Sequence, residues 1–183
     1  MSIQVSFELS DNDLEHFRTM MKTAVENASS YSEQEVLSRA IAACNEMKQA
    51  DLPDFVAKRM HSLEALIAAV QDVEWQMPDD EKKEVLSSLA YFCEPQDLVP
   101  DHIPVLGYVD DAIMIELVIV DMSLDLDAYE EFCSFRKTEE NRRGDAANVD
   151  RESWLASTRN QIRSSMRKKR KSGTRRRVFG RIM

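Results

Sequence analysis

Glycine and proline are scarce in this chain, with 4 Gly and 5 Pro among 183 residues. A sandwich or barrel of many short strands needs turn residues at every hairpin, so that architecture is excluded, as is a flexible linker protein. Cysteine is also scarce. Cys44, Cys93 and Cys133 stand far apart with no Cys-x-x-Cys pair, so neither a zinc site nor a thioredoxin-type site is suggested. Each falls at an apolar helical position, where a free thiol behaves as a small hydrophobe in a reducing, cytoplasmic setting. Long apolar runs are missing as well. The longest stretch without Asp, Glu, Lys or Arg is Val85–Cys93, nine residues, against the roughly 17–25 that span a bilayer. Leu98–Met122 is apolar on average, but Asp101, Asp110, Asp111, Glu116 and Asp121 interrupt it and would be costly in lipid. Protein core is the expected destination of that stretch. Met1–Asp13 lacks the basic and apolar regions of a secretory signal. The expected location is cytoplasmic, with the inner membrane surface as an alternative site for a basic end. No Gly-rich phosphate loop and no Gly-x-Ser-x-Gly elbow occurs, which weakens nucleotide-binding and serine-hydrolase readings.

What is present is charge, unevenly placed. The 33 Asp+Glu and 24 Lys+Arg give a formal net charge of −9. All 33 acids lie between Glu8 and Glu152, and residues 1–158 hold 13 of the cations, a net −20. Residues 159–183 hold the other 11 cations and no acid. The apolar share of 43% argues against disorder over most of the length.

Periodicity predicts a mostly α, single-domain bundle of about six or seven helices, with one short N-terminal β-strand and a basic C-terminal tail. Ile3, Val5, Phe7 and Leu9 alternate with polar residues, the signature of a half-buried strand. A lone strand needs a pairing partner. The same strand of a second copy is one candidate, giving a homodimer, and docking on a helix layer is the other. Ser10–Asp13 supplies helix-start chemistry before Leu14, Phe17, Met21, Ala24 and Ala28. Ser32-x-x-Glu35 forms a capping box with Tyr31 and Val36 at staple spacing, followed by Val36, Leu37, Ala40, Ile41, Cys44 and Met47. A third helix carries Phe55, Val56, Met60, Leu63, Ile67 and Val70. Pro78 restarts the chain, and Asp79, Asp80 and Glu81 suit the positive end of a new helix dipole ahead of Val85, Leu86, Leu89, Phe92 and Cys93. A fifth helix begins at Asp110 or Asp111 and buries Ile113, Leu117, Val120 and Leu124. After a break near Ser123–Asp127, a sixth carries Tyr129, Phe132, Cys133 and Phe135. Asn141–Asn148 is a polar connection. A last amphipathic helix runs from Asp150 through Trp154, Thr158, Ile162 and Met166. The expected organisation is an acidic helical domain over 1–148, an amphipathic to basic helix over 149–171 and a basic tail over 172–183.

Residues 95–108 hold three of the five prolines, Pro95, Pro100 and Pro104, and one of the four glycines, Gly107. Proline fixes φ and removes a donor, so this segment cannot be a continuous helix. Asp97 and Asp101 can accept backbone amides in turns, Gly107 permits a left-handed turn residue, and Asp110 and Asp111 can cap the next helix. A rigid helical hairpin results. The same stretch, with Glu94 and His102, places five carboxylates and an imidazole within 18 positions. Such oxygen-rich groups suit Mg²⁺, Mn²⁺ or Ca²⁺ or acid–base work. Their spacing matches neither an EF-hand nor a His-Glu-x-x-His helix. The frame Pro95-x-Asp97-Leu98-Val99-Pro100-Asp101, then Ile103-Pro104-x-Leu106-Gly107-x-x-Asp110-Asp111, resembles the YkvA-like domain of unknown function, a short helical module of bacterial proteins. The resemblance covers roughly 82–122 and implies no established activity. Two roles for the carboxylates stay open, structural turn and divalent-metal site.

Glu116, between Ile115 and Leu117, is expected to reach a solvent edge of its helix. His16 and His61 have no ligand frame and read as surface residues. The polyanion-binding candidates are Arg163, Arg167, Lys168, Lys169, Arg170, Lys171, Arg175, Arg176, Arg177 and Arg181. They suit RNA or DNA phosphates, an acidic protein surface including the chain's own body, or an anionic membrane. With Phe179 as the one aromatic among them, base stacking is not signalled. Together these features predict a non-catalytic binding or adaptor protein needing no cofactor. The alternatives are a metal-dependent hydrolytic or acid–base enzyme using the Asp-rich motif, and a peripheral membrane protein.

Overall fold

The computed structural model describes residues 8–49, 54–93 and 109–172. Seven α-helices fill these segments: α1 (Asp11–Ala28), α2 (Glu33–Gln49), α3 (Asp54–Gln71), α4 (Asp79–Leu89), α5 (Val109–Asp121), α6 (Ser123–Arg143) and α7 (Arg151–Lys171). Single 3-10 turns follow α4 at Ala90–Cys93 and α6 at Gly144–Asn148. Among the described residues there is no strand. The alternating segment Ile3, Val5 and Phe7 lies outside them, and Leu9 packs partly buried against the core.

The helix starts follow their local chemistry. Ser10 Oγ accepts the Asp13 amide, and the Asp13 carboxylate accepts the Ser10 amide at 2.8 Å. Ser32 and Glu35 repeat the reciprocal pair, with the Ser32 amide donating to Glu35 Oε2 at 2.7 Å. Each box satisfies two orphan helix donors, and loss of such a cap costs about 0.5–2 kcal/mol. Both carboxyls are held below the usual carboxylate range by their serine hydrogen bonds.

α3 is the central element, packed by α2, α4, α5 and α6. Val56, Leu63 and Leu66 are fully enclosed there. α1 closes the far side against α4 and the 90–93 turn, while α7 lies along α6. Cys44 and Cys93 are buried thiols and Cys133 is half-buried, all free. Burial pushes the Cys44 thiol up to about 11, with Glu64 adding to the shift.

Three expectations are corrected. Val120 is 40% exposed; Leu117 is buried as expected, Ile113 is partly buried, and Ala112, Met114, Ile115 and Val118 supply the rest of the buried apolar set. Leu124 belongs to α6, because the break falls at Met122 and not inside 123–127. Between Asp111 and Asp121 every position of α5 but Glu116 is apolar, so its periodicity carries little phase information. α6 also runs to Arg143, ending at Gly144 with φ 55° and ψ −125°, a backbone region open essentially to glycine alone.

Candidate functional site

The Asp-rich motif is only partly visible. Pro95, Asp97, Pro100, Asp101, His102, Pro104 and Gly107 lie outside the described residues. Asp110 and Asp111 sit in the first turn of α5, where the helix dipole favours carboxylates. Asp110 is buried and Asp111 half-buried. Among the described residues no group of three His, Cys, Asp or Glu could hold a metal ion. Glu116 is exposed and accepts a 2.7 Å bond from Arg59 Nε. His16 and His61 are exposed. No described helix is long and apolar enough to cross a membrane.

The basic candidates divide into two groups. α7 repeats about every 3.6 residues, so Leu155, Arg159, Ile162 and Met166 share one face, and all four are buried. Arg159, 5% exposed, donates to the Glu74 carbonyl and to Glu152 Oε1, each at 2.7 Å. Arg163 donates to the carbonyls of Trp75 and Gln76 and lies 4.6 Å above the Trp75 ring. Arg170 donates to Asp125 Oδ1 at 2.5 Å and faces Glu84 at 3.7 Å. These three arginines hold the helix to the acidic body.

Arg170 pairs with α6 and α4, whereas the receptor of Arg159 and Arg163 is the segment between α3 and α4. Asp72 Oδ1 accepts the amides of Glu74 and Trp75 at 2.9 and 3.2 Å, an Asx-type turn. Its other oxygen accepts Tyr129 Oη at 3.0 Å and Arg136 at 2.8 Å. Glu74 accepts from Arg136 at 2.9 Å and from Arg151, which also reaches Glu140. The Arg151 hydrogen bond holds the Glu74 carboxyl low against burial, with Arg136 helping. Trp75 is 1% exposed, wedged between Tyr129 and Phe132 at centroid distances of 6.0 and 5.1 Å. Gln76, at φ 50°, turns its carbonyl to Arg163.

The second group faces water. Arg167, Lys168, Lys169 and Lys171 are exposed, and no ion pair among the described residues involves them. Lys169 and Ser165 border a shallow hollow with Asp127 and Glu131 of α6. Arg175, Arg176, Arg177 and Arg181 lie outside the described residues.

Sequence reasoning missed the receptor segment and the anchoring duty of Arg159. One signal was available. Arg159 falls on the same stripe as Leu155, Ile162 and Met166, and a cation on a buried stripe needs a partner. Glu81 stands in the first turn of its helix as expected, and its burial, to 4% exposed, was not foreseen. Burial pushes its carboxyl up, opposed by Arg170 and Arg163 and, more weakly, Arg167, with Asp80 reinforcing the rise.

Residues 81–117 match the family model described as Protein of unknown function (DUF1232), consistent with the YkvA-like resemblance. No curated protein and no solved structure matches the chain.

Proposed function

We propose that this chain, which carries a DUF1232 domain over residues 81–117, is a non-catalytic binding protein whose basic C-terminal end contacts a polyanion. The domain assigns no activity, so the reading rests on α7. Its carrying observation is the division of cations along that helix. Arg159, Arg163 and Arg170 are bonded to the body, whereas Arg167, Lys168 and Lys171 stand exposed in a sequence with no acid after Glu152. The body repels phosphate over most of its surface, which confines contact to the end of α7 and the arginines beyond it.

Chromatography on immobilised heparin tests this. The full chain is compared with a variant carrying glutamine at positions 167, 168, 169, 171, 175, 176, 177 and 181. The full chain is expected to bind and to elute at clearly higher salt. Equal elution of the two proteins contradicts the proposal.

A further inference from the structure

We infer that the solvent face of α7 beyond its first turn is a docking ridge for the phosphodiester backbone of a nucleic acid. This rests on the polyanion reading above and narrows it to one rigid surface and one ligand class.

At about 100° per residue, Ser157, Asn160, Ser164, Arg167, Lys168 and Lys171 fall within a single sector opposite the buried stripe, and all six are exposed. At about 1.5 Å per residue they extend over about 21 Å, long enough to meet several phosphates of a duplex whose strands each carry one charge per about 3.4 Å of axis. The strip carries no acid. Each other helix presents at least one exposed carboxylate: Glu15, Glu46, Asp54, Asp80, Glu116 and Glu130. Glu152, in the first turn of α7, is exposed as well, so among the described residues the acid-free surface of α7 is the strip that starts beyond it.

The side-chain types choose the ligand. Short hydroxyls, an amide and Lys/Arg form the donor set that contacts phosphate and sugar oxygens. An interfacial membrane helix needs an outward apolar face, but the apolar residues Leu155, Ile162 and Met166 are buried in the bundle, and none of the exposed large hydrophobics lies on α7. The ridge is also pre-organised. Arg159 and Arg163 fix the helix on backbone carbonyls, which lowers the ordering cost of binding. The acids Asp127 and Glu131 flank the Lys169 edge, so the strand approaches from the Arg167, Lys168 and Lys171 side.

Fluorescence anisotropy of the full chain, with a labelled DNA duplex and its RNA counterpart, tests this between about 50 and 200 mM salt. Each phosphate contact contributes about 0.9 to the slope of log affinity against log salt. R167Q/K168Q/K171Q is therefore expected to flatten the slope by about 2.7, and S157E/S164E to weaken binding with an unchanged melting temperature. The charge-conserving R167K/K168R/K171R is expected to retain the slope. If those substitutions leave affinity and slope intact while R175Q/R176Q/R177Q/R181Q abolishes binding, the ridge is wrong and the polyanion reading stands. If the chain binds neither duplex nor heparin, both are wrong. Binding to anionic vesicles or to an acidic peptide without binding to either duplex overturns the ridge and reassigns the ligand.

Discussion

Arg163 carries a formal charge that the molecule uses internally. Its guanidinium serves two carbonyls and an indole face at once, and charged hydrogen bonds of this kind are worth about 1.5–3 kcal/mol. Arg163→Ala is therefore expected to lower the melting temperature by about 3–12 °C, at about 2–4 °C per kcal/mol for a chain of this size. Arg163→Lys is expected to recover only part of that loss, because one ammonium cannot reproduce the planar fork and its stacking. A melt of Arg163→Ala within a degree of the parent contradicts the anchoring role. Glu81 gives a second residue-scale prediction. Its carboxyl titrates above the ordinary range in the folded chain, chiefly through burial. The folded state then holds the proton more tightly than the unfolded one, so the contribution of Glu81 to stability is present below the unfolded value and falls as pH rises through the raised one. Glu81→Gln is expected to flatten that fall in the window just above pH 4.5 and to raise stability near neutrality. Melting temperatures across the acid range check it, and an unchanged pH profile counts against it.

Among the elements, the helices with two-sided chemistry were the legible ones. α1 and α2 announce themselves through Ser10–Asp13 and Ser32–Glu35, and the predicted faces match their buried residues apart from Leu14 and Ile41, which are partly buried. α5 was legible as a helix but not in phase, since Val120 and Val118 are indistinguishable by hydropathy and only packing against α3 and α6 selects between them. The segment from Asp72 to Pro78 was illegible for a different reason. Its partners Tyr129, Arg136, Arg151, Arg159 and Arg163 are more than 55 residues away in sequence, and no local pattern encodes such pairs. The candidate site was half legible: the cation run was visible, its division into anchors and exposed groups was not. The end of α6 yields a test. Gly144 takes φ 55°, and a Cβ there would meet nothing within 4 Å. Gly144→Ala is expected to cost about 1–3 kcal/mol from backbone strain alone, read by urea denaturation. A neutral substitution shows that the turn relaxes without cost.

For the molecule as a whole, the net charge of −9 is the sum of two parts with opposite duties. The acidic part folds around α3 and contains the stretch 81–117 that matches the DUF1232 model, and the cation-rich helix is partly absorbed by it. Carboxylates of the body, Asp125 and Glu84, hold Arg170, while carbonyls of the turn hold Arg159 and Arg163. The proposed division has a direct test in the salt dependence of nucleic-acid affinity, measured below the melting transition for R163Q and R167Q/K168Q/K171Q side by side. The predicted slope is that of the parent protein for the anchor substitution and shallower by about 2.7 for the exposed set. Slopes that fall alike in both variants, or in neither, contradict it.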